Sequence, residues 1–515
     1  MIPFEYRLRE SVRLEPGGAG TWRVVCEAPL TVLTVNAAAA RLLKRTRYGA
    51  TVADIATGLT LSEERIFELC EYFRGRGVLE VRRAAAGAGL VPGLVPGLVP
   101  SVTVVIPTLD RADDLDHCLA AIGCLDYPAE QLEVIVVDDG SVDPAAVAGV
   151  VERRGARLLT NDRNRGPSYS RNTAAGETSG DVLAFVDSDC VPGRSWLRDL
   201  TPYFAWDRVG AVGGRTVGYY TESRLDRYEE VASPLDMGRH LVLRAQGADT
   251  FYVPTCNLLV RCSMYAAVGG LREDLHVGED VDLCWRIRAT GAYLVYAPEG
   301  MVRHKHRDRL GTMLKRRAQY GTSEAVLHGL HPDKRKRFPL APAPLATVAL
   351  VSAALVRLEP RLLPFCLAPS LLDGARRRSR LRRSGVEIPE AAIWTSVLRG
   401  HLSMLYFAYF HLTRYYLGPL TVGSAVAPGL WALEVAAVLY SAGVDYSTKC
   451  PRMSFPAYLA YYLAEHAAYQ AGVAAGCVRA RSFRSYLPVF ERQGTPGALT
   501  KGLAAQPGSQ VGSGS

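Results

Sequence analysis

Val182-Leu183-Ala184-Phe185-Val186-Asp187-Ser188-Asp189 is the stretch on which the reading turns. Five apolar residues in succession have the length of a buried strand, and the run stops on two carboxylates separated by one residue. In extended backbone, residues i and i+2 point the same way, so both carboxylates can face one divalent cation that bridges two phosphates. An isolated Asp-x-Asp is common, and this one gains weight from its neighbours. About fifty residues upstream, Val134-Ile135-Val136-Val137 runs into Asp138-Asp139-Gly140-Ser141, a second apolar run ending in acidic residues at a turn. Val102 to Ile106, ahead of Pro107-Thr108, is a third such run, and Ala156 to Leu159 a fourth. Helical stretches separate them, which predicts an α/β domain with a mainly parallel, Rossmann-like sheet over residues 101–331.

In an open sheet of this kind ligands bind beyond the carboxyl ends of the strands, and the polar residues cluster there. A carboxylate at Asp139 can accept from a base N–H or a ribose hydroxyl, or simply cap its turn. Asn164-Arg165-Gly166-Pro167 leads into a helix carrying Arg171-Asn172, and Gly278-Glu279-Asp280-Val281-Asp282-Leu283 opens another, expected over Glu279 to Ala289. Past a strand expected at Tyr293 to Tyr296 comes Arg303-His304-Lys305-His306-Arg307. Imidazole is a Mn²⁺ ligand, whereas the basic neighbours suit a grip on phosphates; both readings of His304 stand.

Composition bounds the rest. A chain of 515 residues implies three or four folding units. With 48% hydrophobic and 22% charged residues it is too apolar for a disordered protein and too polar for a multi-span transporter. Sixty Lys and Arg against 51 Asp and Glu give +9, which suits anionic partners. Eleven cysteines without a C-x-x-C pair fit reduced thiols in the cytoplasm, and Glu5, Arg7, Arg9 and Glu10 interleave where a secretory signal would be basic and then apolar.

Residues 1–85 carry a small winged-helix pattern: extended Thr21 to Cys26, a helix around Asn36 to Lys44, a short helix opened by Thr51, and a longer one capped by Ser62 and running to Arg74 before extended Val78 to Val81. That last helix holds Glu63, Glu64, Glu68 and Glu71 against Arg65 and Arg74, the wrong sign for a DNA groove, so no nucleic acid is expected. Leu-Val-Pro-Gly recurs in residues 86–100 and reads as a semi-extended linker. Residues 332–503 form a helical C-terminal region. Its apolar tract Phe338 to Leu372 is broken by prolines and followed by Arg376-Arg377-Arg378-Ser379-Arg380-Leu381-Arg382-Arg383. The piece Leu345 to Val356 is too short to span a bilayer, and Gly418 to Ser441 contains Pro428 and Glu434. Two readings remain, a surface lying on an anionic membrane and a helical bundle with exposed arginines. The Gly/Ser-rich tail 504–515 is expected to be disordered.

Val104 to Thr108, Val136 to Ser141, Gly166-Pro167 with Arg171-Asn172, Phe185 to Asp189 and Gly278 to Leu283, taken as an ordered set, resemble a family 2 glycosyltransferase of the GT-A fold. The resemblance spans 101 to about 320. It implies a nucleotide-sugar donor, Mn²⁺ or Mg²⁺, and inversion at the anomeric carbon by direct displacement. By position it implies Pro107, Thr108, Asp139 and Arg171 around the nucleoside, Asp187 at the ribose, Asp189, Asp187 and His304 at the metal, and Asp280 as base. The Gln-x-x-Arg-Trp signature of processive members is absent around Arg316, Arg317, Gln319 and Tyr320. The front segment resembles PqqD-like peptide-recognition domains, which implies capture of a leader peptide as an added strand against Ser62 to Arg74 and Val78 to Val81. Together the parts resemble the glycosyltransferases of actinobacterial mycofactocin systems. That likeness implies transfer of glucose from UDP-glucose to a peptide-derived redox cofactor or its precursor, in the cytoplasm at the inner face of the cell membrane. A membrane-associated transferase making lipid-linked sugars or polysaccharide, with the front domain as a structural cap, and a non-catalytic peptide- and nucleotide-binding scaffold are the alternatives.

Overall fold

The computed structural model describes residues 4–18, 20–57, 59, 61–84 and 99–491. Residues 86–98 of the expected linker and the 504–515 tail lie outside the described residues.

One compact unit comprises the described residues of 99–336 and 409–489. At its centre is a nine-stranded sheet in the order Cys190–Pro192, Tyr293–His304, Val209–Gly218, Leu258–Arg261, Val182–Phe185, Val102–Thr108, Leu132–Asp138, Arg157–Thr160, with Val242–Arg244 pairing off this path against the Tyr293 strand. The apolar runs become strands because β-branched and other large apolar side chains are buried on both faces, every residue of Val102–Thr108 and Val182–Phe185 being buried, with Val105, Ile135, Leu183, Phe185, Val260 and Leu294 sharing one core. The helix Pro144–Arg154 is bounded as its letters suggest, by Asp143 accepting from the Ala146 amide and by Gly155 in the left-handed conformation, φ 68°.

The sheet is mixed rather than mainly parallel. The strands from Val102, Leu132, Arg157 and Val182 are parallel neighbours, whereas Leu258–Arg261 runs antiparallel to both strands beside it. An apolar run announces a strand but not its direction. The Tyr293 strand also continues past Tyr296 to His304, so His304 is its last residue rather than lying beyond it. Pro298 and Gly300 look like a stop, but a register shift opposite Gly214 and Thr216 absorbs them.

The helix Leu310–Leu330 is seated against the helix Phe455–Arg479 with backbones nearly touching. A methyl group at Gly472 would sit 1.8 Å from the Ala318 carbonyl oxygen, and one at Gly476 2.4 Å from that of Thr322. Arg317, buried at this seam, donates to Glu229 at 2.6 Å and has Glu465 at 3.5 Å, while the Tyr228 hydroxyl donates to Glu465 at 2.8 Å.

A second compact unit contains residues 2–85 and 337–408. In its front part, Val12–Pro16, Thr21–Glu27 and Leu30–Asn36 form an antiparallel sheet, and Phe4–Leu8 lies between Ala50–Thr51 and the edge strand Leu79–Arg83. Helices Ala37–Arg45, Val52–Ala56 and Glu63–Gly75 start on Asn36, Thr51 and Ser62, each side chain accepting from a backbone amide in the first turn. Phe4, Tyr6, Phe67 and Phe73 fill the core between them. The later part holds helices Pro342–Arg357 and Ala368–Arg383, and the helix Glu390–Gly423 begins there. Among the described residues, no helix is long and apolar enough to cross a membrane, and the 418–441 stretch is interrupted between Gly423 and Gly429.

Candidate active site

The carboxyl ends of the Val102, Leu132 and Val182 strands bring the expected residues together. The Asp139 amide donates to the Thr108 carbonyl at 2.9 Å, closing the Leu132 strand's end onto that of its neighbour. Asp139 then spends its carboxylate on the following loop: Oδ1 accepts from Asn161 Nδ2 at 2.7 Å and the Arg165 amide at 3.0 Å, and Oδ2 from the Gly166 amide at 2.8 Å. Gly140, at φ 80°, permits this approach, since a methyl group there would lie 2.6 Å from the Arg163 backbone. Asp138 accepts from the Ser141 amide and hydroxyl through Oδ1. Its Oδ2 and the Thr108 hydroxyl are buried without a hydrogen-bond partner among the described residues. These two buried polar atoms lie where Pro107 and Thr108 end a strand.

The Asp-x-Asp does not act as one pair. A turn at Ser188, closed by the Cys190 amide on the Asp187 carbonyl at 3.0 Å, breaks the extended alternation, and the two carboxylates take different partners. Asp187, a third exposed, accepts from Arg171 Nη2 at 2.5 Å. Arg171 is buried in the helix Pro167–Gly176, with Glu279 at 3.8 Å from its Nη1. Asp189 is buried, with Arg111 Nη1 at 2.6 Å and Arg307 Nη1 at 3.5 Å from Oδ2, and His304 Nε2 at 3.5 Å from Oδ1. His304 reaches it because its strand pairs with Cys190–Pro192 in the register Cys190 to His304. Among the described residues, the ligand atoms of Asp189, Cys190 and His304 lie within 4.8 Å of one another, and Asp187 is not part of that group. A carboxylate oxygen beside an imidazole nitrogen suits Mn²⁺ in donor type better than Mg²⁺, which prefers oxygen alone, and Arg111 leaves Oδ1 facing His304.

Asp280 occupies the first turn of the helix Glu279–Ala289, after Gly278 in the left-handed conformation at φ 87°. Burial and the neighbouring Glu279 charge push its carboxyl up to about 7, against the weaker pull of the Val281 amide, Arg171 and Arg316. Burial likewise raises Glu279. Asp282 is not part of this setting: it is buried against Arg286 at 2.7 Å and His331 at 2.8 Å, which hold its carboxyl below the usual range despite burial. Glu279 is expected beside Asp280, Arg316 is noted only at the place of the absent processive signature, and Arg111 is not among the expected residues. Arg316 stacks over the Tyr320 ring at 4.8 Å, and its charge is felt by Glu279 and Asp280. An arginine directly after a strand-end Pro-Thr-Leu-Asp was the available signal for Arg111.

Residues 103–269 match the family model described as glycosyl transferase family 2. The pre-mycofactocin glycosyltransferase of Mycobacterium tuberculosis (strain H37Rv) is 38% identical over 235 residues, 45% of this chain and 48% of the relative. The chain thus spans about half the length of that curated relative. The glycosyltransferase AglE of Haloferax volcanii is 29% identical over 230 residues, 43% of this chain and 72% of that protein. Among solved structures, the mannosyltransferase PcManGT from Pyrobaculum calidifontis, in complex with GDP-Man and Mn²⁺, is similar at a TM-score of 0.37 and 22% identity, covering 68% of this chain and 89% of that one.

Proposed function

We propose that the chain is an inverting glycosyltransferase that moves a hexose, glucose from UDP-glucose, onto a peptide-derived redox cofactor or its precursor. The observation that carries the transfer chemistry is Asp280: a carboxylate raised to about 7, in the same domain as the Arg171–Asp187 pair. A base of that strength is ionised in part near neutral pH and takes a proton readily. Asp280 removes the proton from the acceptor hydroxyl, the oxygen bonds to the anomeric carbon, and the bond from that carbon to the diphosphate oxygen breaks. Pro107 and Thr108 would border the nucleoside, Asp139 would support it by fixing the Asn164 to Gly166 loop, and Asp187, paired with Arg171 through one oxygen, would meet the ribose with the other. Asp189 and His304 would hold a divalent cation, which when bound supplies positive charge against the leaving diphosphate.

The choice of acceptor is supported by the 38% identical pre-mycofactocin relative and by the front part of the second unit. There Leu79–Arg83, beside the helix Glu63–Gly75, is an edge strand of its sheet among the described residues, the kind of element that a peptide strand extends. The test is nucleoside diphosphate release from UDP-glucose, UDP-galactose, UDP-GlcNAc and GDP-mannose with Mn²⁺ or Mg²⁺, with and without a mycofactocin-type peptide-derived acceptor. Acceptor-stimulated, chelator-sensitive release of UDP from UDP-glucose is the expected result. Stimulation by a polyprenyl acceptor alone would overturn the acceptor assignment, and release from none of the donors would overturn the transferase reading.

A further inference from the structure

The C-terminal part of the second unit has a run of large apolar side chains turned to solvent. The helix Pro342–Arg357 ends on Leu358 in the left-handed conformation, φ 54°, and Pro360 and Pro364 hold the following residues in a short 3-10 stretch. In this bend and the first turns of the helix Ala368–Arg383, Leu358, Leu363, Phe365, Leu367, Leu371 and Leu372 are exposed, Phe365 and Leu367 at 63% each. Burying Cys366 between them gives the bend an inner side, so the exposure belongs to an outer apolar edge.

The same helix then changes character along its length. Leu372, Arg376, Arg380 and Arg383 follow one another at helical spacing and share a face. Arg377 and Arg378 have carboxylate partners, Asp373 at 2.9 Å and Glu390 at 2.5 Å. Arg376, Arg380 and Arg383 are exposed and have no ion-pair partner among the described residues. The far end of this helix is pinned by the front sheet: Arg23 donates to the Ser384 and Gly385 carbonyls at 2.8 Å, and Arg13 to that of Glu387 at 3.2 Å.

We infer that residues 358–383 form a docking surface for an anionic phospholipid bilayer. An apolar edge followed along one helix by unpaired arginines matches the profile of a membrane interface, acyl chains first and phosphates outside them. A nucleic acid or an acidic peptide would use the arginines and leave Phe365, Leu367 and Leu371 in water. The surface is independent of the transfer reaction, and its test involves no turnover.

The full chain is sedimented with vesicles of phosphatidylcholine alone and of phosphatidylcholine mixed with phosphatidylglycerol. Binding to the mixed vesicles, little to the neutral ones, and release at high salt are expected. Arg376→Glu with Arg380→Glu should weaken binding on the order of 25-fold or more, since each basic side chain near such a surface contributes about fivefold. Phe365→Ser with Leu367→Ser should weaken it about tenfold even at low salt, by removing apolar burial. Equal binding to both vesicle types, no binding at low salt, or indifference to either pair of substitutions would overturn the inference. So would a dimer, without vesicle binding, that Phe365→Ser disperses, or an RNA probe retained through Arg376 and Arg380 by a chain that ignores vesicles. Circular dichroism of each variant, unchanged from the parent, guards against loss of fold as the cause.

Discussion

Asp189 and Asp280 are carboxylates of one domain, placed in opposite electrostatic settings. Asp189 faces basic groups, Arg111 at 2.6 Å with His304 and Arg307 each at 3.5 Å. Asp280 follows Glu279 in a desolvated helix start, accepts from the Val281 amide at 2.8 Å, and is pushed up to about 7. The first setting surrounds a carboxylate with basic side chains; the second raises a carboxyl until a proton can be exchanged near neutral pH. The difference teaches that counting acidic residues says little about a site until each one's neighbours are known.

The harshest way to break the comparison is Asp280→Asn. Turnover should fall by roughly 10²–10⁴-fold while calorimetry records unchanged nucleotide binding. If the two settings are equivalent, binding will suffer as well. The same variant sharpens the comparison through stability. Because the folded carboxyl sits above the ordinary value of 3.8, the folded state binds the proton more tightly than the unfolded chain. The stabilisation is therefore complete below about 4 and is lost as pH rises toward 7 and beyond. A rise of about three pH units, discounted by half because Asp280 keeps some solvent contact, predicts that Asp280→Asn is more stable than the parent by about 2 kcal/mol at pH 8 and no more stable at pH 4. Melting temperatures at the two pH values decide it.

On the other side of the comparison, Arg111→Met should leave Asp189 Oδ2 without its nearest cation and reorient the carboxylate. Mn²⁺ affinity measured by titration calorimetry should drop about tenfold, as when an outer hydrogen-bond partner of a ligand is removed. An unchanged affinity would mean that Arg111 only packs there. The smallest effect is expected from Glu279→Gln, which removes the like charge beside Asp280. The acidic limb of the pH–rate profile should move to lower pH by about half a unit to one unit. A shift to higher pH would show that Glu279 supports Asp280 rather than opposing it.

Much of this was legible from the letters. Runs such as Val182 to Val186 could hardly be anything but buried strands, Gly278 marked the start of the Asp280 helix, and Glu279 to Ala289 is the helix found. What stayed hidden depends on long-range pairing. The antiparallel half of the sheet rests on Leu258–Arg261 meeting Val182–Phe185 from the far side, for which no local spacing exists. The divergence of Asp187 from Asp189 follows from one turn at Ser188, and the partners that pull them apart, Arg171 and Arg111, lie 16 and 78 residues away along the chain. His304 could be named as a candidate ligand but not placed, because Pro298 and Gly300 mimic the end of a strand that in fact runs through them.

The seam between the Leu310 and Phe455 helices sets a schedule for the growing chain. Arg317 belongs to the same helix as Arg316, yet one of its two carboxylate partners, Glu465, is synthesised 148 residues after it. At about 5–20 residues per second, roughly 7 to 30 s separate the two on the ribosome. Throughout that interval Glu229 is the partner already made, and the glycines that will close over the helix, Gly472 and Gly476, do not yet exist. The sheet can therefore be complete while the helix that lends Arg316 to the site still lacks its cover, and a stall of translation before residue 465 would leave a finished strand order with an unfinished active site.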